Sequence, residues 1–403
     1  MDCGSCMIGG KVLGQGGYGC VIKPAIMCKT DMDPKNKVSK IMRMDKLDEE
    51  EKEELIVEYE ISKKFKKIDK NNKYFLGGID KCTFKNSKIS KKDLKGCNFP
   101  HKKEIDIMNI VMTIGEDFNK IAKKLDTEDL LKCLAHLLIG ARKSIIDLNV
   151  ALLDIKYENL LFVRDDKNKN LINPVFIDFS PLLVPQSKTD FLFFIKAVGM
   201  QYYPFWPLEV LLYVFSSDPR RIKKLPKLPK ESDSEKIKKK YDKIEMDNIV
   251  LQNDIEDFNE PLKQINNYDV TKQNYKKFVN EYKRALNKDY KKIMGKSMVY
   301  QLGNCFPHLK NKDEKFNNII KKMTEQDYKK RLDIDGTLKE IEKEIGKIGK
   351  INNKKLLIDY KKYSKLNRMK KLFKSFFVKQ KFSPLILKKK NRRRRRRKNK
   401  IHP

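Results

Sequence analysis

Asp154, Lys156, Asn159 and Asp178 are the residues of this chain whose types and spacing could do chemistry together. Asp154-Ile155-Lys156-Tyr157-Glu158-Asn159 reads D-x-K-x-x-N, and Val175-Phe176-Ile177-Asp178-Phe179-Ser180 places another Asp after an apolar strand pattern. Phosphoryl transfer asks for such a set. It needs a carboxylate to orient the attacking hydroxyl, and Asn and Asp oxygens to hold a divalent cation. D-x-K-x-x-N alone arises often in a Lys- and Asn-rich chain. Its weight comes from the motifs upstream of it.

Gly14, Gly16, Gly19 and Val21 read G-x-G-x-x-G-x-V, with Lys11-Val12-Leu13 before them. Glycines there let the backbone approach phosphates, and Val21 would cover an adenine ring. Dinucleotide-binding glycine turns open a helix, whereas Val21-Ile22 reads as a second strand. Lys40, in Val38-Ser39-Lys40-Ile41, falls on a third strand. A helical pattern comes next, in which Ile61 and Phe65 share the side of Glu58. Glu58 is therefore the expected partner of Lys40, with Glu54 or Glu60 as the fallback.

In this order the motifs resemble the protein kinase family over roughly residues 10–340. The resemblance implies an α+β, bilobal protein kinase fold, with a small β-rich N-lobe at about 10–114 and a larger helical C-lobe at about 115–345. Residues 1–9 precede it and a basic tail, 346–403, comes after it. It also implies ATP and Mg²⁺ as cofactors, with Mn²⁺ as an alternative. Asp154 and Lys156 would be catalytic, and Asn159 and Asp178 would hold the metal. Gly14, Gly16, Gly19, Val21, Lys40 and Glu58 would engage the nucleotide. Met112 would be the gatekeeper, and the backbone of Thr113 and Ile114 would meet the adenine edge. Lys156 favours Ser/Thr over Tyr substrates, because tyrosine kinases usually lack a lysine two residues after the catalytic Asp. Glu209, in Pro207-Leu208-Glu209, and Arg331 stand where the family has a buried structural ion pair.

The departures are specific. Leu152-Leu153-Asp154 replaces H-R-D, so the supporting His is missing, as is the Arg that receives an activation-loop phosphate. Asp178-Phe179-Ser180 replaces D-F-G. Losing the Arg argues against control by activation-loop phosphorylation. Residues 189–195 read either as activation segment, the preferred reading, or as a central helix whose Asp190 ties down the catalytic loop.

Of the formal charge of +36, +23 falls after residue 345, where 24 Lys and Arg face one acid, Asp359. The run Arg392 to Arg397 is expected to be disordered. The tail implies nucleic-acid or anionic-surface binding, with a solubilising segment or a nuclear-localisation signal as plainer readings. Eight cysteines read as too scattered for a disulfide framework, and no secretory or membrane-spanning segment stands out. That points to a reducing, intracellular setting. Cys3 with Cys6, and Cys82, Cys97 and His101, make half zinc sites, which are not zinc sites. His136, between leucines, reads as a core residue. Lys85–Lys103 is expected to be a surface insert, 165–170 a hairpin tip, and 219–240 a loop.

The lost His and Arg, the Lys-, Asn- and Ile-rich composition and the Arg-rich end resemble kinases of large cytoplasmic DNA viruses, which implies host cytoplasm or virion. Two other function classes stay open beside a Ser/Thr kinase acting on protein substrates. One is a pseudokinase scaffold, and the other a nucleic-acid-binding or packaging protein acting through its tail.

Overall fold

The computed structural model describes residues 11–15, 19–28, 33–45, 47, 49–89, 97, 99, 104–165, 168–179, 182–183, 206–207, 209–210, 272–306, 313–346 and 357–359. The architecture is mixed α+β, with a sheet-rich N-terminal part and helices later. Strands β1 (Lys11–Gln15), β2 (Gly19–Lys23), β3 (Lys37–Arg43), β4 (Asp80–Lys85) and β5 (Asp106–Thr113) form one antiparallel sheet, ordered β1-β2-β3-β5-β4. Helix α1 (Glu49–Ile68) connects β3 to β4.

Alternation along these strands sorts side chains to two faces. Met42, Met108 and Ile110 pack with Tyr59 of α1 on one face. Cys20, Ile22, Ile41 and Ile107 form a second apolar cluster on the other, with Ile26, Ile89, Cys97 and Phe99 laid over it. The stretch expected to be a surface insert is thus partly core. Within it Ile89 and Phe99 are only 4% and 5% exposed.

This second cluster also overturns the cysteine reading. Cys20 is bonded to Cys97, and Cys28 to Cys82. The partners lie 77 and 54 residues apart in sequence, and each bond ties a strand cysteine, Cys20 on β2 or Cys82 on β4, to one outside the strands. The inference of a reducing compartment loses its premise, and Cys82 and Cys97 are not zinc ligands. Cys133 and Cys305 are free thiols, both buried.

Segment 24–28 is held on the same face. Ser39, standing in β3 where the kinase resemblance has Ala, accepts a hydrogen bond from the Ile26 N–H at 2.8 Å and donates one to the Ile26 carbonyl. Asn109 of β5 donates to that carbonyl at 2.7 Å. A small polar residue before Lys40 therefore has a structural task of its own.

After α1 the chain turns at buried Asp69, whose carboxylate accepts the N–H groups of Lys73, Tyr74 and Phe75. Leu76 N–H then donates to the Phe176 carbonyl, tying the sheet region to the later part of the chain.

Next come β6 (Glu116–Asp117), α2 (Phe118–Ala122), α3 (Thr127–Asp147), β7 (Ala151–Leu152), β8 (Leu160–Arg164), β9 (Leu171–Phe176) and β10 (Leu182–Leu183). Helix α3 starts on an Asp126 cap that accepts from Asp129 N–H, and buries its leucine-rich side. Strands β8 and β9 pair antiparallel with the expected hairpin tip between them. Helices α4 (Lys272–Lys288), α5 (Tyr290–Asn304), α6 (Glu314–Met323) and α7 (Ile334–Ile345) complete the helical part, and every residue of α5 from Ile293 to Gly303 is buried. Strand β11 (Ile358–Asp359) pairs with β9, so folded chain extends past the expected boundary at 345. Among the described residues no helix is long and apolar enough to cross a membrane.

His136 is a core residue, as expected. Its Nε2 lies 2.7 Å from the Lys73 carbonyl, its ring packs on Tyr74, and burial lowers its pKa to about 4.

Candidate functional site

Lys40 on β3 reaches Asp178, just past the end of β9, with its Nζ 3.1 Å from Asp178 Oδ1. These residues are 138 apart in sequence and join the sheet region to the helical region. Both are partly solvated, so the pair contributes little to stability. Its meaning is positional. Asp178 has φ 56°, a left-handed conformation that costs a residue with a Cβ and tends to persist at functional sites.

Phe179 is buried and packs on Phe65 of α1 with ring centroids 4.6 Å apart. Phe75 packs on Phe65 at 4.3 Å and meets Phe179 edge-on at 6.2 Å. This aromatic cluster fixes the backbone behind Asp178 and links it to α1. The side chain of Glu58, like that of Glu54, lies outside the described residues. The fallback Glu60 is corrected: it is exposed and pairs with Lys63 at 2.8 Å. Tyr59 and Ser62 are the α1 residues that line a crevice with Lys40, Met112 and Asp178.

Asp154, Asn159 and Asp178 line one further crevice. Lys156 Nζ lies 2.9 Å from Asp154 Oδ2, and Asn159 Nδ2 donates to the same oxygen at 2.6 Å. The Asn159 carbonyl accepts from Ile177 N–H at 3.0 Å, so the D-x-K-x-x-N loop and the Asp178 strand are registered against each other. Leu152 and Leu153, where H-R-D has His and Arg, are 4% and 0% exposed. They are core, and neither position could receive a phosphate.

Gly14 and Gly19 flank the glycine turn, whose residues 16–18, including Gly16, lie outside the described set. A Cβ at Gly19 would come 1.9 Å from the Ile41 carbonyl oxygen, so only glycine fits there. Gly14 has open space around it. Val21 pairs with Lys40 in the β2–β3 register and shares its face of the sheet. Met112 and Thr113 end β5. The Ile114 N–H already donates to the Asn36 carbonyl at 3.1 Å, so an adenine edge there would be read through other backbone groups.

Among the described residues no group of three or more His, Cys, Asp or Glu is placed to hold a metal ion. A Mg²⁺ site built on substrate phosphates needs less, one or two carboxylates with water completing the shell. Asn159 commits its amide nitrogen to Asp154, so its oxygen is the atom it could offer a cation, and Asp178 brings a carboxylate into the same crevice. The donor set fits.

Glu209 and Arg331 form a buried two-pronged ion pair, as the sequence implied. Sequence reading passed over Trp206 and Gln301, both buried against the backbone around Asp154. The signal for Trp206 was its rarity: it is the only tryptophan in the chain, three residues before Glu209. Residues 189–195, with Asp190, lie outside the described set, as does 360–403. A scan against protein-family models and a search of curated proteins find no match to this chain.

Proposed function

We propose that this chain is a Ser/Thr protein kinase that transfers the γ-phosphate of ATP to hydroxyls of protein substrates, on a bilobal α+β scaffold. The observation that carries the reading is the convergence of Lys40 and Asp178, beside an Asp154 already hydrogen-bonded to Lys156 and Asn159. Lys40 would engage the α- and β-phosphates beneath the turn between Gly14 and Gly19, with Val21 against the adenine. Asp154 would orient the substrate hydroxyl and take its proton, while Lys156 offsets charge on the moving phosphoryl group. Asn159 and Asp178 would hold Mg²⁺, which neutralises charge on the phosphates when bound. Little covalent chemistry is asked of the protein, so fixed geometry and charge carry the rate.

Radiolabelled ATP with a generic acidic or basic protein substrate tests this. Wild type should incorporate label with Mg²⁺ or Mn²⁺, Asp178→Ala should not, and Asp154→Asn should be slower by orders of magnitude. Equal background from all three would turn the reading to a nucleotide-binding scaffold. Lys40→Met should lose transfer far more than folding. A fully active Lys40→Met alongside an inactive Lys37→Met would show that the wrong lysine had been assigned.

A further inference from the structure

We propose that Trp206 and Gln301 are positioning residues that aim the Asp154 carboxylate, doing by backbone hydrogen bonds what the absent His and Arg cannot do. The proposal rests on the kinase reading for what Asp154 does, but the geometry stands by itself. Asp154 lies between two peptide groups, and the direction of its side chain depends on how those two planes are set. The plane before it contains the Leu153 carbonyl, which accepts a hydrogen bond from Trp206 Nε1–H at 2.6 Å. The plane after it contains the Ile155 N–H, which donates to Gln301 Oε1 at 3.1 Å. The Asp154 carbonyl, in that second plane, accepts from Asn159 Nδ2 at 3.0 Å. With both planes held, φ and ψ of Asp154 are held too.

The donors and acceptors are themselves immobilised. Gln301 is 0% exposed within the buried Ile293–Gly303 stretch of α5, and its amide nitrogen points to the Leu152 and Ser297 carbonyls at 3.5 and 3.4 Å. One turn earlier on α5, Met298 Sδ meets the Leu152 N–H at 3.4 Å. Trp206 is 4% exposed and stands at the start of a turn closed by Val210 N–H to the Pro207 carbonyl. Glu209 in that turn is gripped by Arg331. The turn is thereby bolted to the helical region, and its indole is the arm that reaches the loop. The Leu152 and Leu153 side chains contribute only apolar packing, so beside Asn159 the loop's orientation comes from side chains remote in sequence. Gln301 lies 146 residues from Ile155.

Because Trp206 is the only tryptophan, it can be replaced throughout the full chain by benzothienylalanine, in which sulfur takes the place of the indole N–H. That substitution deletes the hydrogen bond to the Leu153 carbonyl, and Gln301→Met deletes the bond from Ile155 N–H together with the two longer ones from the amide nitrogen, each keeping shape. Steady-state kinetics should show kcat lowered roughly ten- to hundredfold with KM for ATP unchanged, since misplacement of a reacting group costs rate rather than nucleotide binding. Amide hydrogen exchange at Ile155, without nucleotide, should speed up in Gln301→Met by more than it does at buried amides elsewhere on α5, so that a general loss of stability does not account for it. A kcat within about twofold of wild type in both proteins would overturn the proposal, as would KM for ATP rising in step with the loss of kcat. If wild type transfers no phosphate, the kinase reading fails, and the exchange measurement still decides the geometry. Unchanged exchange at Ile155 in that case would overturn the positioning role as well.

Discussion

Arg331 and Glu209 form an ion pair in which neither side chain reaches solvent, at 0% and 1% exposure. Arg331 also donates to the carbonyls of Glu325 and Gln326 and lies over the Tyr300 ring. A buried charge so fully engaged is costly to orphan. Glu209→Gln or Arg331→Met should therefore destabilise the chain by about 3–5 kcal/mol, and the double apolar replacement by less than either. Urea unfolding of the three variants checks this. A single variant within about 1 kcal/mol of wild type would place the pair in water instead.

Cys20 and Val21 are neighbours on β2 that face opposite sides of the sheet, Val21 beside Lys40 and Cys20 toward Cys97. The two disulfides therefore clamp the face opposite Lys40. Cys20→Ser/Cys97→Ser should cost about 2–4 kcal/mol, and Cys28→Ser/Cys82→Ser a similar amount. Alkylation of unfolded, unreduced protein should leave these four cysteines unlabelled while Cys133 and Cys305 react. Labelling of all six would sink the pairing.

Periodicity made part of this fold legible before any coordinates. Lys40 on β3, the hairpin between β8 and β9 and the apolar side of α3 all repeat with the period of their element, so their faces could be read. Cys20 could not, because its partner becomes a neighbour only once β2 and the segment before β5 lie on one face. Helix α5 escaped for the opposite reason. From Ile293 to Gly303 it is buried all round, and Lys296, Ser297 and Gln301 sit inside that stretch bonded to backbone carbonyls, which erases any polar stripe. Burial pushes the Lys296 pKa down, and the carbonyls of Tyr328 and Lys329, with the carboxylates of Asp333 and Asp327 nearby, make its place tolerable. In the candidate site, the four chemistry-bearing side chains were legible. The residues that aim them were not, since Trp206 and Gln301 act on backbone and belong to no short motif.

His136 gives the fold a pH dependence with a definite sign. Burial lowers its pKa from 6.5 to about 4, so an unfolding chain takes up a proton there between those values. Stability from the neutral imidazole is complete above pH 6.5 and is lost as pH falls toward 4, by on the order of 3 kcal/mol in all. His136→Gln keeps a donor for the Lys73 carbonyl and cannot titrate. Urea midpoints at pH 7 and pH 5 should differ less for this variant than for wild type, and an equal difference would move the titrating group elsewhere.

The basic end of the chain should act in binding and not in catalysis. Residues after 345 carry +23 of the formal charge, with Arg392 to Arg397 unbroken. Such a segment neutralises phosphates and releases counterions, so its binding to DNA, RNA or anionic membranes should be salt-sensitive and nearly independent of sequence. It would act as a tether that concentrates the chain on acidic surfaces without touching Lys40 or Asp178. Deleting residues 388–403 should leave peptide phosphorylation near wild type while sharply weakening nucleic-acid retention at low salt. The cut falls well beyond β11, whose Ile358 is fully buried against β9, so the fold should be undisturbed. Unchanged retention would remove the tether. Collapse of phosphorylation together with retention would instead mean that the tail docks on the folded part of its own chain.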